Sequence, residues 1–205
     1  YSKSKEEAKV LSTRAIHNYF FVKGLDTLRE GGILAFITSQ GLLDSPSNKP
    51  IREYLMNNSS LVSAIRLPEN LFTENAGTEV GSDLIVLQKN TGKGIVSEQE
   101  RLFIETVDVP DPDNSDKVLF THNAMFATES MENCVATSRK LSTNPYGKKC
   151  MVYNHEGGIE GICSDLKLKL DRDISNELSK GLFYGDDDYE EKLQGEMEAK
   201  QAFTY

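Results

Sequence analysis

Asn144-Pro145-Tyr146 is the stretch whose residue types stand nearest to chemistry. An asparagine amide and a prolyl carbonyl can hold the exocyclic amine of a flipped base while an aromatic ring stacks on it. Such a loop carries a second proline and follows a buried apolar strand. Here one proline is missing, and Thr137-Ser-Arg-Lys-Leu-Ser-Thr143 is no apolar strand. Asn-Pro-Tyr-Gly, with glycine last, therefore reads as a turn. Thr91-Gly-Lys-Gly94 lacks the spacing of a phosphate loop and leads into no convincing helix, so it too reads as a turn. His17 lies within a helical pattern, His155 reads as a turn residue, and the histidines have no metal spacing. No G-x-S-x-G, H-E-x-x-H or Cys/His pair is present. No residue is thus assigned a catalytic or metal-binding role. Phe72, in a loop after Leu67-Pro68 and before Ala76-Gly-Thr78, either folds back on the core or offers a face for stacking a base.

The elements around these residues follow from periodicity. Leu11, Ala15, Tyr19, Val22, Leu25 and Leu28 recur at three- and four-residue steps, which predicts one helix over residues 5–30. Gly31-Gly32 is expected to stop it. The apolar run 33–38 suits a strand covered on both faces, as in a parallel sheet. Residues 40–49 read as a loop, and Pro50 sits well in the first turn of a second helix over 51–57. Strands are predicted at 61–67 and 83–89, as an antiparallel hairpin at the sheet edge. Short connections favour neighbouring elements. A further strand is expected at 151–153 and a short amphipathic helix at 162–178.

Composition bounds the rest. The chain has 205 residues and a net charge of −9. Residues 1–90 carry ten basic and ten acidic residues, residues 91–185 eleven against fifteen, and residues 186–205 two against seven. Phosphate neutralisation supplies most non-specific affinity for nucleic acid, so an acidic chain is a poor autonomous binder. Any positive surface for DNA is accordingly expected outside this chain. Cys134, Cys150 and Cys163 are widely spaced and odd in number, which fits a reducing, cytoplasmic setting. No apolar run near 18 residues suggests a membrane partner.

Three stretches carry a resemblance. Ile16 to Ser39, Ala64-Ile-Arg-Leu-Pro-Glu-Asn-Leu-Phe72, and Ala76-Gly-Thr78 with Asp83 to Lys89 resemble the adenine-N6 DNA methyltransferases in order and spacing. Pro145 to Lys148 and Met151 to Gly158 resemble, in particular, the large methylase–helicase proteins of mobile elements in gut anaerobes. The resemblance implies an α/β fold: part of a methyltransferase-type, Rossmann-like sheet ending in an antiparallel hairpin, followed by a mixed polar extension. It implies S-adenosylmethionine as methyl donor and DNA as partner. It also implies that Phe72 is the loop aromatic that packs on the flipped adenine. Ser39 and Gln40, just after a strand, would line the same cleft, because ligands of open α/β sheets sit at strand C-terminal ends.

The family's glycine-bearing cofactor loop and its Asn/Asp-Pro-Pro-Tyr/Phe loop are not found here. With Tyr1 in place of a start Met, the chain reads as the C-terminal half of a methyltransferase domain at 1–90, a family-specific extension at 91–185 and an acidic tail at 186–205. Alone it is expected to be inactive, the missing N-terminal half being its partner. The rival reading is a non-catalytic acidic module that docks a partner or shields a DNA channel.

Overall fold

The computed structural model describes residues 1–72, 81–144 and 147–185, with only the backbone of Phe72. The predicted first helix is two: α1 over Glu7–Ser12 and α2 over Ile16–Thr27. Side chains compete with the backbone at the break, where Ser12 Oγ donates to the Lys9 carbonyl (2.8 Å) and Thr13 Oγ1 to the Val10 carbonyl (2.7 Å). Ala15 then turns extended (φ −143°). Helix α2 ends before the glycine pair, at an extended Leu28. Gly31 instead makes the left-handed turn (φ +74°) that admits the chain to β1, Ile33–Ser39.

Strand β2 (Ser59–Leu67) and strand β3 (Ser82–Lys89) complete the sheet, in the order β1-β3-β2. The expected hairpin pairing holds, with Leu67 opposite Ser82 and Ser59 opposite Lys89. Its place differs. Strand β3 is central, and it also pairs antiparallel with β1, Ile33 opposite Gln88 and Ser39 opposite Ser82. β1 and β2 therefore run the same way without being neighbours. Sequence proximity could not show this, because the insertion of β3 is a long-range pairing.

One face of the sheet meets α2 and α4 (Lys49–Asn58), with Leu34, Ala64, Ile85 and Leu87 in a core shared with Phe21, Leu25, Ile51 and Leu55. The segment expected to be loop before α4 holds a short helix, α3 (Gly41–Asp44), and a 3-10 turn at Pro46–Asn48. Buried Arg52 holds this segment: its Nη1 donates to the carbonyls of Leu42 (3.0 Å) and Ser45 (2.8 Å), and its Nε to that of Ile104 (2.8 Å). Burial lowers the Arg52 pKa to about 10, against the nearby Asp44 and Glu105 carboxylates.

The polar extension is built onto the same core. Helix α5 (Glu98–Ile104) starts with a capping box, Ser97 Oγ accepting from Glu100 N (3.2 Å) and Glu100 Oε2 from Ser97 N (2.8 Å). Lys93 of the Thr-Gly-Lys-Gly turn donates to Glu100 Oε1 (2.6 Å), which also accepts from the Leu61 amide (3.0 Å). That lysine is a structural anchor. Strands β4 (Thr106–Asp111) and β5 (Asn114–Asn123) form one hairpin, with Pro110 at its bulge. Strands β6 (Ser138–Thr143) and β7 (Lys149–Asn154) form another. Helix α6 (Gly158–Glu177) lays Ile162, Leu166 and Leu170 against Ile65 and Leu67 on the second face of the sheet. The short α7 (Lys180–Tyr184) follows.

That second face is covered unevenly. On β1 burial alternates, leaving Ile33 and Ile37 37% and 55% exposed. The expectation that β1 is covered on both faces is thus corrected: α6 reaches β2 and β3, while β1 keeps one face and one backbone edge uncovered by the described residues. Among the described residues no helix is long and apolar enough to cross a membrane.

Candidate functional site

The end of β1 and the elements beyond it enclose a cleft of about 650 Å³. Its walls include Gln40, Asp44, His122, Asn144, Lys148 and Lys149. Behind it lies Arg66, projecting from β2 and fully buried. Its guanidinium forks onto Asp83 of β3, Nε to Oδ1 at 2.9 Å and Nη2 to Oδ2 at 3.0 Å. Nη2 also reaches Asp44 Oδ1 at 3.0 Å, and Nη1 lies 3.0 Å from His122 Nε2. The Phe126 ring sits beneath the cation, 4.1 Å from Cζ to the centroid, with Tyr153 at 5.7 Å. Arg66 also takes the edge of β2 onward, its N–H donating to Asn133 O and its carbonyl accepting from Val135 N, each at 2.8 Å. One residue thus ties the sheet to α3 and β5 through its side chain and to the segment before β6 through its backbone.

Electrostatics follow from that geometry. Burial works against the Arg66 charge, yet Asp83 and Asp44 hold its pKa well above the ordinary value. A guanidinium can only donate, so His122 Nε2 must be an acceptor, which puts the ring proton on Nδ1. The Tyr153 hydroxyl lies 3.1 Å from the same nitrogen. Burial, and then the Arg66 charge, push the His122 pKa down to about 4. His122 is therefore neutral near pH 7, stacked parallel to Tyr153. Asn123 lies buried next to it: its N–H donates to Asp44 Oδ1 (2.9 Å) and its side chain to the carbonyls of Phe103 (2.9 Å) and Glu105 (3.1 Å).

At the same end of the sheet three polar atoms are buried without a partner among the described residues: Thr38 Oγ1, Ser82 Oγ and Gln40 Nε2. Such groups are rare in folded proteins and require an explanation. Thr38 stands opposite Asp83, and Ser39 opposite Ser82. Of the residues expected at this cleft, Gln40 is on its wall and Ser39 is exposed one position earlier. Phe72 closes a 3-10 turn at Glu69–Phe72 after β2, with its side chain outside the described residues, as are residues 73–80.

The turn expected at Asn144-Pro145-Tyr146-Gly147 lies partly outside the described residues, which omit Pro145 and Tyr146. The Gly147 N–H donates to Asn144 O (2.9 Å), and Gly147 takes the left-handed conformation (φ +79°). Ser138–Thr143 is a strand, and as expected not an apolar one: it is polar and mostly exposed. His155 is held in its turn by Asn70, whose Oδ1 accepts from His155 N (3.1 Å) and whose Nδ2 donates to His155 O (2.9 Å). Among the described residues no three His, Cys, Asp or Glu side chains gather as metal ligands. Sequence reading missed Arg66, His122 and Asp44. The available signal was a lone charged residue, Arg66, near the end of a strand with no other charge, a position that, once buried, demands a carboxylate.

Residues 3–173 match the profile of the N-6 DNA methylase family. The chain belongs to that family. No curated protein matches it. The match extends beyond the sheet into α6, and so spans both the Arg66 cluster and the two hairpins.

Proposed function

We propose that the chain is part of a DNA methyltransferase that moves a methyl group from S-adenosylmethionine to N6 of an adenine flipped from the duplex. Family membership gives the reaction class, and β1 is the observation that carries the rest. An edge strand with an apolar face (Ile33, Ala35, Ile37) is a template for further pairing. A sheet segment bearing the cofactor and catalytic loops would pair along β1 and cover that face.

This chain contributes the strand ends. Thr38, Gln40 and Ser82 offer their unpartnered groups to whatever arrives there. Phe72, at the end of the turn after β2, supplies the stacking ring for the base. The setting we propose is restriction-modification or DNA modification on a mobile element, inside the cell.

The test is methyl transfer from labelled S-adenosylmethionine to unmethylated DNA. The 205-residue chain alone should give none, and the complete reading frame should give N6-methyladenine. In the complete enzyme Ile37→Asp should abolish transfer, because it puts a charge on the face to be covered. Transfer by the chain alone would refute the shared site. Absence of N6-methyladenine from the complete enzyme would remove the methylase reading.

A further inference from the structure

The β6–β7 hairpin reverses the charge of the chain it belongs to. Residues 138–154 contain Arg139, Lys140, Lys148 and Lys149 and not one Asp or Glu, in a protein of net charge −9. Lys140, Lys148 and Lys149 are exposed. None of the four forms an ion pair among the described residues. Arg139 donates to the Thr128 carbonyl (2.8 Å) and Lys149 to Thr143 Oγ1 (2.9 Å), contacts that orient both cations without neutralising them.

Asp44, on the wall of the same cleft, is already engaged by Arg66. The neighbouring β4–β5 hairpin has the opposite sign. It carries Asp108, Asp111, Asp113 and Asp116 against Lys117.

From this arrangement we infer that the β6–β7 hairpin is a DNA-backbone contact of the methylase, holding phosphates beside the cleft at the end of β1. The inference rests on the methylase reading for its choice of partner. Strand alternation sets Lys140 on one face of the hairpin and Thr143, with its partner Lys149, on the other, so cations stand on both faces. Lys148 and Lys149 stand on the cleft wall itself, across from Gln40 and Gly41. A duplex lying on the hairpin would bring a flipped base toward the strand ends, and the acidic β4–β5 tip would disfavour the opposite approach. Net charge averages over the whole chain, and the acidic residues of the extension lie outside this hairpin.

The test is binding of the full chain to a short fluorescein-labelled duplex by anisotropy, over roughly 20 to 150 mM KCl. The hairpin triple Lys140→Gln/Lys148→Gln/Lys149→Gln is compared with a triple of equal charge change at exposed lysines elsewhere, Lys3→Gln/Lys5→Gln/Lys117→Gln. All six side chains are exposed, so both variants should fold. The hairpin triple should weaken binding at least about tenfold and flatten the log–log salt slope by about 2 to 3, one unit per lost phosphate contact. The control should stay within about twofold. Equal losses in both triples, no loss in either, or no binding by the native chain at the lowest salt would overturn the assignment. Unchanged duplex affinity with methyl transfer intact in the complete enzyme would sink the hairpin alone. Lysine-dependent binding without N6-methyladenine would sink only the methylase reading.

Discussion

Replacing Arg66 by Met removes a cation whose main partner cannot follow it out. Asp83 is fully buried, and its two contacts at 2.9 and 3.0 Å both come from this guanidinium. Breaking a buried pair by deleting one member costs about 3–5 kcal/mol, because the other charge is stranded. Methionine retains much of the side chain's length over Phe126 and Tyr153, so lost packing adds little. With a urea slope of about 2–3 kcal/mol/M for a chain of this size, the unfolding midpoint should fall by roughly 1.5–2 M. The assay is urea unfolding at neutral pH followed by far-ultraviolet circular dichroism. The double variant Arg66→Met/Asp83→Leu should regain most of the loss, since desolvation of an ion pair largely offsets its Coulomb attraction. A single-variant loss below about 1 kcal/mol, or a double variant no more stable than the single, would refute the stranded-charge argument.

His122 gives a pH signature. Its folded pKa of about 4 lies below the ordinary 6.5, so the unfolded chain takes up the proton first as pH falls. The stability it supports is full above about pH 6.5 and is lost between there and about pH 4. The difference in unfolding free energy between native protein and His122→Gln should therefore shrink by about 2–3 kcal/mol between neutral pH and pH ~4.5. Gly31→Ala should cost about 1–2 kcal/mol from its left-handed backbone alone. A Cβ there would also lie 1.7 Å from the Leu182 carbonyl oxygen, so faster hydrogen exchange in α7 should accompany the loss. In the complete methylase, Phe72→Ala should reduce turnover by the roughly 1–3 kcal/mol of a base–aromatic stack; unchanged kcat/KM would return Phe72 to the core.

Local chemistry decided what the sequence alone could show. Pro50 in the first turn of α4, the hairpin pairing of β2 with β3 and the strand at Met151–Tyr153 each depend on neighbouring residues or on periodicity. The capping box at Ser97 and Glu100 is equally local, since Ser-x-x-Glu before an apolar run is a sequence signature. Other features depended on residues far apart in the chain. The insertion of β3 between β1 and β2 sets strands beside each other against their order in the sequence. The one-sided burial of β1 depends on how far α6 reaches, more than 100 residues later. The Arg66 cluster gathers residues 44, 66, 83, 122 and 153. No spacing rule links those five, because what unites them is the requirement that a buried charge find its partners wherever the fold puts them.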